Sequence, residues 1–298
     1  MQTQSNRQLW AQAVKTGIIK SNLIPMIAAL MLALYTYELN FIEHIPAIIF
    51  ALLGTAAVIG AAGAYNNVYD RDIDQIMPRT KTRPTVTGDL SAKTVLIAAT
   101  LLLIVGLILL YLATPLAALM GFLGVFFYVV PYTMWTKRRT IWNTEVGSIS
   151  GAMPPLIGWA AVAPDIWHPA AWALFLIMVI WQMPHFYAIA IRKKDDYAAA
   201  NIPMLPVVKG ERRTYIQSNI YLVLLILSSF LFLPLSSGLT IVSIILGAIW
   251  LAMSITASKK KEQKKWANIM FAYSLFHMMA VFGTVFIYAT VGMILNSL

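Results

Sequence analysis

Nine apolar stretches, each closed off by polar or charged positions, follow one another through this chain. They run over about 17–37, 45–68, 94–113, 115–135, 142–161, 168–191, 215–234, 237–257 and 266–295. A helix rising 1.5 Å per residue crosses a hydrocarbon layer about 30 Å thick in roughly 20 residues. The spacing therefore predicts an all-α, polytopic membrane protein with nine transmembrane helices. The last stretch is longer than one crossing needs and is expected to tilt.

The charges fall unevenly between these stretches. Segments 1–20, 70–93, 136–140, 192–214 and 258–265 hold all 22 Lys and Arg. The alternate segments, 38–44, 113–115, 162–167, 235–237 and the C-terminal tail, hold none. Basic residues stay on the cytoplasmic side of a membrane, so the N-terminus is expected inside and the C-terminus outside. The net charge of +10 is then a matter of topology and attraction to anionic lipid, and calls for no nucleic-acid partner. The run KKKEQKK (259–265) reads as a solvated inner loop.

Composition agrees. Of 298 residues, 59% are hydrophobic and 11% charged, where a soluble domain averages about 25% charged. There is no cysteine, which excludes disulfides, thiolate metal sites and cysteine nucleophiles. The polar opening MQTQSNRQLWAQAVKTGIIK does not resemble a cleaved signal peptide. No soluble domain is visible, and 1–298 is expected to form a single transmembrane domain. A weak internal echo links Y-N-N-V-Y-D-R-D-I-D, at 65–74, with H-F-Y-A-I-A-I-R-K-K-D-D-Y, at 185–197. The two lie four spans apart, which suggests two active loops that face each other.

One short stretch departs from this oily background. NNVYDRDIDQIMPRTKTRP (66–84) crowds Asp70, Asp72, Asp74, Arg71, Arg79, Lys81 and Arg83 together. Asn66, Asp70 and Asp74 are spaced i, i+4, i+8, so on a helix they share one face, while Asp72 and Arg71 point elsewhere. Clustered carboxylates repel, and desolvation near a membrane raises the cost, so they need cations. Arg79 and Arg83 offer some. Mg²⁺ serves oxygen ligands better, and the C-terminal end of a helix also favours a cation. Carboxylates for Mg²⁺ beside Arg79, Lys81 and Arg83 for an oxyanion make a candidate diphosphate site.

The N-x-x-x-D-x-x-x-D spacing resembles the first motif of the UbiA superfamily of intramembrane prenyltransferases. The longer strings NNVYDRDIDQIMPRTKTRP, YTMWTKRRTIWNTEVGSISGAMPPLIGW (132–159) and WQMPHFYAIAIRKKDDYAAANIPMLPVV (181–208) resemble its protohaem IX farnesyltransferase branch. The likeness spans residues 15 to 280. It implies transfer of a farnesyl group from farnesyl diphosphate to a vinyl group of haem b, giving haem O. Mg²⁺ would bridge Asn66, Asp70 and Asp74 to the diphosphate. Arg79 and Arg83 would meet diphosphate oxygens or haem propionates. The implied product feeds terminal oxidases, so a haem A synthase or oxidase assembly is an expected partner, and a bacterial plasma membrane the expected location.

Where many superfamily members carry a second D-x-x-x-D, this chain has Ile191-Arg192-Lys193-Lys194-Asp195-Asp196-Tyr197. Asp195 can ligate a second Mg²⁺, and Arg192 or Lys193 can meet phosphate, but with few carboxylates a full second metal site is in doubt. His185 follows Pro184, where the sixth span can open. It resembles the family's functional histidine, either as a haem ligand or as a polar contact near the vinyl group. Lys137 is a candidate for a haem propionate. Asn22 either contacts diphosphate or bridges helices. Tyr69, Tyr128, Tyr132 and Tyr187 could steady a carbocation or belong to an aromatic belt. Glu145 is expected to pair with Lys137 or Arg138, and His277 to be a core residue. A quinone-directed prenyltransferase, or a transporter or haem-carrying assembly factor without chemistry, are the competing functions.

Overall fold

A computed structural model describes residues 5–163, 165–259 and 262–296. Lys260 and Lys261 of the predicted inner loop lie outside the described residues. Every regular element among those described is helical: α1 (Asn6–Ala13), α2 (Thr16–Thr36), α3 (Ile45–Tyr69), α4 (Arg71–Ile76), α5 (Pro84–Thr87), α6 (Ala92–Ala113), α7 (Pro115–Phe127), α8 (Asn143–Gly151), α9 (Met153–Ala160), α10 (Pro169–Arg192), α11 (Lys194–Ala199), α12 (Leu205–Ser228), α13 (Ser237–Ser258) and α14 (Gln263–Asn296). A π-helical stretch, Tyr128–Thr136, continues α7, and a 3₁₀ turn, Ser229–Phe232, continues α12.

Eight of these helical runs are long and apolar enough to cross a membrane. The ninth expected span, 142–161, is not one helix. It is α8 and α9 end to end, broken at Ala152 (φ −98°, ψ −3°). Pro154 and Pro155 are the cause. Proline lacks the N–H that a helix interior uses, and two in succession are accommodated here in the first turn of a new helix, where that N–H is not needed. All eight residues of α9 are buried.

Local chemistry sets the other boundaries. Thr114, extended at φ −158° and ψ 151°, separates α6 from α7, and its hydroxyl accepts from Ala117 N at 2.9 Å. Pro115 then opens α7. Inside α12, Gly210 sits at φ 74° and ψ 174°, a conformation open only to glycine. The continuous apolar helix therefore starts after it. α10, by contrast, runs unbroken through Pro184, where the sequence allowed an opening.

Packing places α2, α9 and α10 at the centre. α9 lies against α2 and α7, and α10 against α12 and α14, while α3 pairs with α6. Gly158 lets α9 approach α2: a Cβ there would come within 2.1 Å of Met26 O. α6 is peripheral, with Leu101, Ile104, Val105, Ile108 and Leu112 exposed. For a chain of this composition that surface suits lipid.

Candidate active site

The acidic row sits where α3 ends. Asp70 has left helical geometry (φ −85°, ψ 6°), yet Asp70 N still bonds Asn66 O at 2.9 Å. Asp74 N in turn bonds Asp70 O at 2.8 Å. The four-residue spacing therefore survives the junction with α4, and Asn66, Asp70 and Asp74 share a face. Their exposures are 3%, 0% and 1%. Asn66 Nδ2 donates to Asp70 Oδ2 at 2.7 Å and to Thr133 Oγ1 at 3.0 Å.

Buried carboxylates require compensating charge, and tethered cations supply it. Lys137 Nζ donates to Asp70 Oδ2, and Arg83 Nη1 to Asp74 Oδ2 at 2.5 Å. Lys15 Nζ donates to Asn66 Oδ1. Arg138 forks onto Asp72 at 2.6 and 2.7 Å and touches Asp70 Oδ1 at 3.5 Å. That hydrogen bonding holds the Asp72 carboxyl below its usual range. Lys15 caps α2 in the left-handed conformation (φ 55°, ψ 54°). Burial, together with the nearby Arg83 and Lys137, pushes its amine down to about 7.

The π-helical stretch delivers the opposite wall. Its bonds run i to i−5, as in Lys137 N to Tyr132 O at 2.9 Å, so residues about four or five apart share a face. Tyr128, Tyr132 and Lys137 consequently line the same cavity. The two tyrosine rings lie 5.5 Å apart.

This cavity, of about 490 Å³, joins the charged rim to an apolar interior. Asn22, Asn66, Asp74, Arg79, Arg83, Lys137 and His185 line it, as does Lys15, which nothing in the sequence singled out. Asn22 Nδ2 is turned onto Ile18 O at 2.8 Å. Arg79 lies over the Tyr197 ring at 5.8 Å. Six expected site residues are not among the lining. Asp70 lies fully buried behind it, between Asn66 and Asp74, where Lys137 and Arg138 meet its carboxylate. Lys81, Lys193 and Asp195 are exposed. Arg192 is exposed too, with its guanidinium 4.6 Å from the Phe271 ring centre. Tyr187 is fully buried behind the wall.

The two loops suggested by the internal echo do meet. Ile73 and Met77 pack with Ala190, Ala200, Ile202 and Met204. When the ends of α3 and α10 are matched, Ile189, Lys193 and Tyr197 correspond to Asn66, Asp70 and Asp74. The second loop thus offers the cavity Ile189 and Tyr197 instead of carboxylates. Asp195 is left outside, so no second acidic row faces the first.

Glu145 does not pair with Lys137 or Arg138, which are engaged by Asp70 and Asp72. It turns toward α10 and α12, accepting from Tyr187 Oη, Gln217 Nε2 at 2.9 Å and Tyr221 Oη at 3.2 Å. Tyr187 is therefore a structural partner of this carboxylate. His277 is a core residue, beside Trp250 at 5.2 Å between centroids.

The oxygen donors of the acidic row fit a hard divalent cation. Among the described residues no group of three or more His, Cys, Asp or Glu forms a protein-only cage. Asn66, Asp70 and Asp74 suit an ion that keeps waters or phosphate oxygens as its remaining ligands, as Mg²⁺ does.

Comparison with known proteins agrees with this geometry. The family model for the UbiA prenyltransferase family matches residues 22–295. Protoheme IX farnesyltransferase 2 of Lysinibacillus sphaericus is 64% identical over 97% of this chain and 92% of its own length. Protoheme IX farnesyltransferase 1 of Bacillus cytotoxicus is 61% identical over 97% and 95%. Among solved structures, one of a digeranylgeranylglyceryl phosphate synthase superposes with a TM-score of 0.76 at 16% identity, covering 95% of this chain and 98% of that one. A UbiA homolog from Archaeoglobus fulgidus bound to DMAPP and Mg²⁺ gives 0.67 at 13% identity, covering 91% and 98%. The chain belongs to the UbiA prenyltransferase family.

Proposed function

We propose that this protein transfers a farnesyl group from farnesyl diphosphate to a vinyl group of haem b, giving haem O. The observation that carries this reading is the buried Asn66–Asp70–Asp74 row, ringed by Arg83, Lys137 and Lys15, whose Asn66 and Asp74 line an apolar cavity that also reaches His185. The relatives named protoheme IX farnesyltransferase, at about 60% identity over nearly their full length, supply the acceptor.

In this reading Asn66, Asp70 and Asp74 hold Mg²⁺. The ion, when bound, withdraws charge from the departing diphosphate. Arg83, Lys15, Lys137 and Arg79 neutralise the diphosphate oxygens at the same rim. The C1–O bond of the farnesyl group breaks, and diphosphate leaves with its electron pair. The vinyl carbon then forms a bond to C1. Water adds to the cation left on the porphyrin side chain and releases a proton, giving the hydroxyethylfarnesyl group. The faces of Tyr128 and Tyr132 steady the transient positive charge. The apolar interior keeps water from the allylic cation. Arg192 and Lys193 remain available to haem propionates that reach the exposed rim. Asp195 has no role in the primary metal site.

The membrane location follows from the eight spans, and the bacterial relatives favour a bacterial plasma membrane. The charge partition favours a cytoplasmic N-terminus, and the broken α8–α9 pair would supply a ninth crossing. A haem A synthase or terminal oxidase assembly is the expected recipient of the product.

The test is incubation of purified protein with haem b, farnesyl diphosphate and Mg²⁺. A haem gaining one farnesyl group and one hydroxyl by mass is expected. Transfer to a hydroxybenzoate with haem untouched would instead identify a quinone-directed enzyme.

A further inference from the structure

His185 reaches the cavity from α10 with only 8% of its surface exposed. Its ring lies nearly parallel to Trp181 (centroids 4.6 Å, 18°) and to Phe271 (5.3 Å, 28°). Nδ1 is 2.6 Å from the hydroxyl of Ser274 on α14, which is wholly buried. That hydroxyl has one proton, and it donates it to Phe271 O at 2.6 Å, the usual back-bond of a helical serine. Ser274 Oγ is therefore left to accept, so Nδ1 carries the hydrogen and Nε2 carries a lone pair. The serine is itself fixed, because Trp181 Nε1 donates to Ser274 O at 2.8 Å. Nε2 has no protein partner among the described residues.

We propose that Ser274 is a positioning residue that holds His185 as its Nδ1–H tautomer, so that Nε2 ligates the iron of the acceptor haem. This rests on the haem-acceptor reading above. A neutral imidazole with its distal nitrogen hydrogen-bonded is a strong, oriented axial ligand. Fixing the iron fixes the macrocycle against the ring stack, and with it the direction in which a vinyl group points. Loss of such an orienting partner costs roughly 10- to 100-fold in affinity at metal sites.

The test titrates haem b into the purified full-length protein and four variants, following the Soret and visible bands together with farnesyl diphosphate affinity. Wild type is expected to show a histidine-ligated spectrum that His185→Ala abolishes. Ser274→Ala is expected to weaken haem affinity about tenfold and shift the bands, with farnesyl diphosphate affinity kept. Ser274→Thr, which retains the hydroxyl, restores the wild-type spectrum, and Ser274→Cys, a weaker acceptor of similar size, falls between. If Ser274→Ala matches wild type in spectrum and affinity, or His185→Ala leaves the spectrum unchanged, the inference fails while haem remains the acceptor. If wild type neither binds nor farnesylates haem, the acceptor reading fails and this inference with it.

Discussion

Asp70 shows how tightly charge is balanced around single side chains. It is fully buried, and its Lys137 partner is only 13% exposed. Removing one member of a buried pair strands the other, at a cost of about 3 kcal/mol. Asp70→Asn is therefore expected both to abolish turnover and to lower the melting temperature in detergent. Adding Lys137→Met to that variant should recover most of the stability and none of the activity. If the double variant stays as unstable as the single one, the pair is not what balances this carboxylate. The acidic row itself was legible in the sequence, because four-residue spacing on a helix survives any detail of the loop that follows. Lys15 was not: a lysine in the left-handed conformation carries no local signal, and in sequence it is one more basic residue flanking a span. Ser274 was invisible too, since His185, whose ring meets its hydroxyl, lies 89 residues away on α10.

Helices followed apolar length closely, and the exceptions have local causes. The break between α8 and α9 is written in Pro154-Pro155, but a count of apolar residues passes over it. The π-helical stretch carries only Pro131 as a marker, and its altered spacing is what brings Tyr128, Tyr132 and Lys137 to one wall. The face-to-face loops were suggested by a faint echo, while the loss of the second acidic row was already visible as missing carboxylates. α9 forms the cavity floor through Met153, Pro154 and Ile157, and its seat against α2 depends on Gly158. Gly158→Ala places a methyl group against the Met26 carbonyl, which must move by more than 1 Å to restore an ordinary contact. Overpacking of this kind costs about 1–3 kcal/mol. The variant is expected to melt several degrees lower and to bind farnesyl diphosphate more weakly. Unchanged melting and binding would show that α9 can retreat without disturbing the cavity.

Across the molecule, one end of the bundle gathers the cation-rich segments. Lys15, Asp74, Arg83, Lys137 and Tyr197 come from four separate inner segments of the sequence, and all line one cavity. If basic loops remain cytoplasmic, this rim opens where soluble diphosphates and Mg²⁺ are found, and the apolar depth of the cavity lies within the bilayer. Function and topology then share one cause: the residues proposed to bind the diphosphate would also hold that end of the bundle on the inner side. The absence of cysteine allows a clean test, since any introduced thiol is unique. Lys81 is exposed on the cation-rich side outside the cavity, and Glu43 is exposed in the acidic loop between α2 and α3. A membrane-impermeant maleimide applied to intact spheroplasts is expected to label Glu43→Cys and spare Lys81→Cys, with both labelled after permeabilisation. The opposite pattern would place the rim outside the cell, where the charge partition could not have oriented it and the diphosphate would have to be supplied from the other side of the membrane.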